Sequence, residues 1–302
     1  MNLLEAASGL ALRHLKEDHR TILRSCYFTL RKKLHPLMRA VYGTFDAAAL
    51  RTHLEQRVGT DFDILMVHSS VNHMKPMFTD APLDLVRMLM SYCGPERTLV
   101  MPGFYFGDPA IGGAFATFQQ QPRFDLRRTP SQMGLATELF RRMPGVVQSR
   151  HPIYRMSALG PLAKALTAGH ETASSPTGRG TPFEFMAAHN TRIIGIGKPI
   201  QVLTQAHHVE QLIGDEYPVP GQWGQRLAMT LVDGKEEIPF ELSPGRVPLW
   251  RFNIWKLQSI MTPETLQEWE FHRVPMFSTR ASDVTTQLVD AARRGVTLYD
   301  KP

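Results

Sequence analysis

From about residue 60 onward, apolar side chains gather into short unbroken runs separated by longer stretches in which they recur at helical spacing. "FDILMVHSS", "RTLVMPGFYF" and "TRIIGIG" are runs of the first kind and predict strands buried on both faces. "APLDLVRMLMSYCG", "TPSQMGLATELFRRMPG", "PLAKALTAGH" and "LTQAHHVEQLIG" are of the second kind and predict helices. For the second of these helices Thr129 is the expected N-cap, Pro130 suits the first turn and Gly145 lies past the end. Thr204 is the expected N-cap of the last. Upstream, "DAAALRTHLEQRVG" reads as a helix stopped by Gly59. Strands alternating with helices predict an α/β fold, a mainly parallel sheet covered on both faces. Past residue 225 or so the pattern changes. "LAMTLVDGKEEIPFEL" predicts a β-hairpin turning at Asp233-Gly234, followed by irregular and helical sequence.

Residues 1–43 form a basic amphipathic segment interrupted by Pro36, and 44–302 are expected to make a single α/β domain. The segment reads as a helix packed on the main domain or on a second subunit of a homo-oligomer. Its other reading is a helix lying on an anionic membrane surface. No apolar run reaches the length of a membrane span, and the N-terminus lacks a signal-peptide layout, so a cytoplasmic protein is expected. Cys26 and Cys93 are far apart, in apolar surroundings and without metal spacing; both are expected to be inert thiols. A hydrophobic content of 43% is ordinary, but a formal charge of +6 favours an anionic partner. Nucleic acid fits poorly, because no aromatic stripe interleaves the scattered arginines and no recognition motif appears.

In such sheets ligands bind beyond the carboxyl ends of the strands. Three chemically rich segments fall there: His68-Ser69-Ser70, "PGFYFGDP" with Tyr105, and "GKPIQVLTQAHHVE". A nucleophile elbow is absent, since "VHSSVNHM" has no glycines for the sharp turn. "GIGKP" is too short for a phosphate loop. At 100° per residue His207 and Glu210 share a helix face while His208 points away, which leaves a His/Glu pair and not a set of zinc ligands. A histidine oriented by a carboxylate suits proton transfer near neutral pH. His151, held extended by Pro152, is a further candidate.

The ordered blocks "MVHSSV", "RTLVMPGF", "FDLRRTPSQMGLATELFRRMPGVVQSRHPIYRMSALG", "GHETASSPTGRGTPF" and "IIGIGKPIQVLTQAHHVE" resemble the aminoglycoside 3-N-acetyltransferase family over roughly residues 60 to 220. The resemblance implies an antibiotic N-acetyltransferase-like fold and transfer of an acetyl group from acetyl-CoA to a sugar amine, without a metal. It implies that His68, Ser69 and Ser70 meet the pantetheine arm and that Thr129, Ser131 and Met133 line the coenzyme channel, with Arg127 and Arg128 near its phosphates. It makes His151, His207 and Glu210 the catalytic neighbourhood, with either histidine as base. Hydroxyls or amides near Ser69-Ser70 are expected to meet the oxyanion formed during transfer.

Three features depart from the family's pattern. Arg155 stands where many relatives carry serine, Gln201 where they often carry Asp or Asn, and the basic N-terminus lies outside the shared core. The first two, in a chain of charge +6, predict an anionic or nucleotide-linked amino sugar as acceptor, as in surface glycan synthesis. Arg155 would then pair with its phosphate, and Gln201 and Tyr105 would stand on the acceptor side. The alternatives are an aminoglycoside acceptor, or a binding protein of the same fold without catalysis.

Overall fold

The computed structural model describes residues 33–302, so most of the N-terminal segment, with Cys26, lies outside the described residues. Of that segment the helix His35–Tyr42 is seen, with Pro36 in its first turn, where a missing N–H costs nothing.

The main sheet has the lateral order Leu266–Phe271 (β12), Val274–Arg280 (β13), Thr191–Ile196 (β6), Ile64–Ser69 (β1), Thr98–Pro102 (β2), Met156–Leu159 (β5) and Val147–Gln148 (β4). The three predicted runs form its centre as parallel neighbours: β1 (Ile64–Ser69), β2 (Thr98–Pro102) and β6 (Thr191–Ile196). Their side chains alternate between two cores. Leu65, Val67, Leu99 and Ile194 face helices Ala47–Arg57 and Pro82–Cys93. Ile64, Met66, Val100 and Ile193 face helices Pro182–Ala188, Ala206–Ile213 and Ala281–Arg293. Cys93 is buried, and its thiol is pushed up to about 12, first by burial. No helix among the described residues is long and apolar enough to cross a membrane.

Both sheet margins are antiparallel. β4 (Val147–Gln148) and β5 (Met156–Leu159) close one side, β12 (Leu266–Phe271) and β13 (Val274–Arg280) the other. The 266–280 stretch was expected to be irregular or helical. Its hairpin turns on His272 and Arg273, both at positive φ, where glycine or asparagine would have signalled the turn. The predicted hairpin does form, as β8 (Leu227–Asp233) and β9 (Glu236–Leu242), but in a separate sheet where β3 (Arg123–Asp125) pairs parallel with β8. Two ribbons complete the fold: β7 (Gly221–Trp223) with β10 (Arg246–Pro248), and β11 (Arg251–Phe252) with β14 (Tyr299–Asp300).

Two predicted caps are corrected. The helix expected from Thr129 begins only at Leu135, with Gly134 at its N-cap. Asp125 instead draws residues 127–129 into a turn: its Oδ1 accepts the Arg127 and Arg128 N–H groups and its carbonyl that of Thr129. Thr204 likewise caps nothing. The helix Ala206–Ile213 has Gln205 at its N-cap, and Thr204 Oγ1 is buried without a partner among the described residues.

Arg155 is also corrected. It is fully buried, and its guanidinium donates to the Gly103, Leu126 and Thr129 carbonyls while lying 5.5 Å over the Phe124 ring. Burial lowers its pKa to about 10, which still leaves it cationic at neutral pH. Each of its three guanidinium nitrogens donates to a carbonyl and none is exposed, so the charge ties the loop after β2 to the loop after β3. Arg155→Met should strand three carbonyls and lower unfolding stability by about 3 kcal/mol or more, measured by urea denaturation. Arg155→Lys should fall between Met and wild type.

Candidate active site

β6 ends at Ile196 and the chain turns at Gly197, whose φ of 68° and contact with Ser70 exclude a side chain: a Cβ there would lie 2.7 Å from the Ser70 carbonyl oxygen. A short turn, Ile200–Val202, then leads into the helix Ala206–Ile213 at the carboxyl edge of the parallel strands. On this helix His207 Nδ1 lies 3.2 Å from Glu210 Oε1, the one-face pairing expected from their spacing. The other carboxylate oxygen accepts the hydroxyl of Tyr299 on β14. Phe252, opposite Tyr299 across the β11–β14 ribbon, sets its ring 4.7 Å from His207 and 5.3 Å from Tyr299.

This arrangement sets the chemistry of His207. With Nδ1–H donated to Glu210, Nε2 carries the lone pair, and among the described residues it has no hydrogen-bond partner. The His207 side chain keeps 30% of its exposure against 10% for Glu210, so the imidazole reaches outward while the carboxylate is covered. Burial, then the Glu210 charge, pushes Tyr154 up to about 12 and raises Tyr217 and Tyr299 as well. All three phenols therefore stay protonated.

His151 behaves differently. It is buried, stacks on His170 at 4.6 Å, and its Nδ1 accepts the N–H groups of Ile153 and Tyr154. Both bonds require an unprotonated Nδ1, and burial holds its pKa well down. Of the two histidines left open as base, His151 is therefore a neutral scaffold for the turn that carries Tyr154. His208 is structural too, donating Nδ1–H to the Thr177 carbonyl.

The remaining candidates are spread along the same edge. His68 shares the sheet face of the 206–213 helix, whereas Ser69 alternates to the opposite face. Burial, then the Lys198 charge, drives His68 down to about 3. Ser69 Oγ is buried without a partner among the described residues. The Ser70 N–H is already donated to the Ile196 carbonyl and is not free for an oxyanion, while its hydroxyl lies 2.7 Å from His73 Nδ1. Thr129, Ser131 and Met133 lie in the loop before Leu135, where Ser131 Oγ accepts the Met133 N–H. Gln132 clamps that loop to the exit of β2, accepting the Phe106 N–H and donating to the Gly107 carbonyl. Arg128 is exposed and borders a cleft of about 390 Å³ with Arg123, Asp125 and Arg127.

Tyr105, expected on the acceptor side, packs instead against Phe118 and Phe124 in the small sheet's core. Gln201 does border a cavity of about 250 Å³, together with Arg251, Phe252, Trp255 and Asp300. Tyr299 and Phe252 were not foreseen. They lie 89 and 42 positions beyond Glu210 in segments with no strand or helix pattern strong enough to place them. No group of three or more His, Cys, Asp or Glu side chains among the described residues is arranged to hold a metal.

The fold and the relay define a class: an α/β protein that presents a carboxylate-oriented histidine at the open edge of its sheet. Comparison with known proteins gives the family. Residues 66–291 match the family described as aminoglycoside 3-N-acetyltransferase, and the chain belongs to it. It is 38% identical over 161 residues to aminoglycoside N(3)-acetyltransferase IX of Micromonospora chalcea, across 50% of this chain and 57% of that protein. It is also 30% identical over 161 residues to aminoglycoside N(3)-acetyltransferase VII of Streptomyces paromomycinus, across 50% of this chain and 55% of the relative. The matched stretch thus spans little more than half the length of these relatives. The fold extends further: aminoglycoside acetyltransferase AAC(3)-Xa superposes with a TM-score of 0.71 at 21% identity, covering 88% of this chain and 99% of that one.

The buried histidines make stability depend on pH. His68 and His170 titrate near 3 and 4 in the folded chain, against 6.5 unfolded. Above pH 6.5 both states are neutral and the full stability is present. Below it the unfolded chain takes up protons that the folded chain refuses. Stability therefore falls from pH 6.5 toward 4 by on the order of 1.4 kcal/mol per pH unit for each histidine. Urea midpoints measured across that range should show the decline, and His170→Gln should flatten it by about one proton's share.

Proposed function

We propose that this protein is an acetyl-CoA-dependent N-acetyltransferase that acetylates an amine of an amino sugar, with aminoglycosides as the first acceptors to test. The observation that carries this reading is the His207–Glu210–Tyr299 relay on a fold of that family. Relatives support it: AAC-IIIb was solved as a binary complex with CoASH and AAC-VIa bound to sisomicin. The acceptor with a nucleotide tag, expected from Arg155, loses its basis because that guanidinium is fully buried and holds three backbone carbonyls.

The residues present suit the coenzyme. Ser69 Oγ and Thr204 Oγ1 are buried hydroxyls without partners among the described residues, of the kind that amide and thioester oxygens would satisfy. In this reading His68, Ser69, Ser70, Thr129, Ser131 and Met133 hold the pantetheine arm, with Arg128 at its phosphates. The coenzyme supplies an acetyl thioester. His207 Nε2 takes the proton that the acceptor amine must lose. Glu210 keeps Nδ1–H in place and balances the imidazolium charge. Tyr299 holds the second carboxylate oxygen, so the carboxylate cannot rotate away from His207.

Release of free CoA thiol from acetyl-CoA in the presence of kanamycin or gentamicin, with acetylated product detected by mass, tests the reaction. Absence of thiol release with every amino-sugar acceptor would remove the activity. His207→Ala and Glu210→Gln should each lower kcat by about 100-fold or more, the usual reach of general-base groups. Tyr299→Phe should lower kcat by about tenfold with little change in acetyl-CoA KM, because it acts only through Glu210. Wild-type turnover in His207→Ala would assign the base elsewhere.

A further inference from the structure

The helix His35–Tyr42 is tied to the domain without burying any residue of its own. One edge is anchored. Met38 packs against the core that holds Phe45 and Phe78, Arg39 Nε donates to the Pro76 carbonyl, and His272 Nδ1 lies 2.6 Å from the Tyr42 carbonyl. Gly43 then turns the chain into the domain at a φ of 71°, where a Cβ would come within 3.1 Å of His272 Nδ1. The other edge faces outward. Leu34, Leu37 and Val41, spaced three and four apart, share a face and are 41%, 59% and 62% exposed.

The chain's charge is concentrated at the same place. Residues 1–43 hold eight Lys and Arg against three Asp and Glu, which is +5 of the chain's formal +6, and no carboxylate occurs between Asp18 and Asp46. Lys32, Lys33 and Arg39 flank the outward aliphatic positions in the sequence. A second copy of the chain docking here would bring one basic segment against another, and the remaining residues, near neutral, have no acidic excess to receive it. Nucleic acid would pair with the cations but leave the three aliphatic side chains in water. An anionic bilayer surface satisfies both, with headgroups meeting the cations and the aliphatic side chains entering the boundary of the acyl layer. We propose that the helix His35–Tyr42, with the basic segment before it, docks this protein on an anionic lipid surface through Leu34, Leu37 and Val41. The bonds from Arg39 and Tyr42 to the domain then set that surface beside the segment that follows β1. This is independent of the acetyltransferase reading.

Co-sedimentation of the full-length protein with lipid vesicles tests the proposal. Vesicles of equimolar phosphatidylcholine and phosphatidylglycerol should bind about tenfold or more tightly than phosphatidylcholine alone. Salt at about 1 M, where the Debye length is about 3 Å, should remove most of that preference. Leu37→Gln with Val41→Gln leaves the charge unchanged and should weaken binding to the anionic vesicles by about tenfold or more. Lys32→Gln with Lys33→Gln should weaken it by about fivefold or more. Leu37 and Val41 are exposed, so the glutamine pair is expected to fold, and thermal unfolding matching the wild type checks this. Absent binding, equal binding to neutral and anionic vesicles, or undiminished binding by the Leu37→Gln, Val41→Gln variant would overturn the proposal. So would a lipid-free dimer, seen by sedimentation velocity, that this variant dissociates, because the face would then join two copies of the chain.

Discussion

A buried carboxylate is tolerable only if its oxygens are met by donors, and in this protein that requirement organises the site. Glu210 is 7% exposed, and each oxygen has a donor from a different part of the chain. His207 comes from the same helix, three residues back, and Tyr299 from the last strand. The bond to Tyr299 docks the C-terminal ribbon over the helix and brings Phe252 against the imidazole. The bond to His207 selects the tautomer that leaves Nε2 outward. One electrostatic constraint thus fixes a proton-accepting atom, closes the fold at its C-terminus and gives the neighbouring cavity a wall.

Arg155 applies the same rule with opposite sign on the other flank. Three carbonyls surround its guanidinium, so the loops after β2 and β3 are held by a charge they enclose. Burial here converts a residue that looks like ligand chemistry into scaffold. His151 follows the same logic: with two amide N–H groups bonded to Nδ1, it has given up the lone pair that a base needs. Groups that act must keep one bonding valence unspent and within reach. His207 and His208 both leave Nε2 without a partner among the described residues, but His208 is 1% exposed whereas the His207 side chain keeps 30%.

The central strands and most helices were legible because their patterns are local. Continuous apolar runs and helical periodicity reflect burial that any neighbour would satisfy, so β1, β2, β6 and the flanking helices appear where the patterns place them. The marginal strands were not. β5 follows directly on Arg155, β12 alternates exposed glutamates with partly buried aromatics, and its hairpin turns on His272-Arg273 without a turn residue. The Thr129 cap failed because the N–H groups it would have met are taken elsewhere, that of Ser131 by Glu138 Oε2 and that of Gln132 by the Phe104 carbonyl.

For the site, the sequence by itself determined the His207–Glu210 pairing, since three residues on a helix set it through backbone geometry alone. It also determined that His208 faces elsewhere, and it placed the chain in its family. Only the tertiary structure decided which histidine keeps an outward lone pair, that Tyr299 completes the relay, and that Arg155 is buried scaffold. Those outcomes depend on burial and on contacts between segments up to 89 residues apart, as from Glu210 to Tyr299. Local spacing carries no record of which distant donor will satisfy a buried charge.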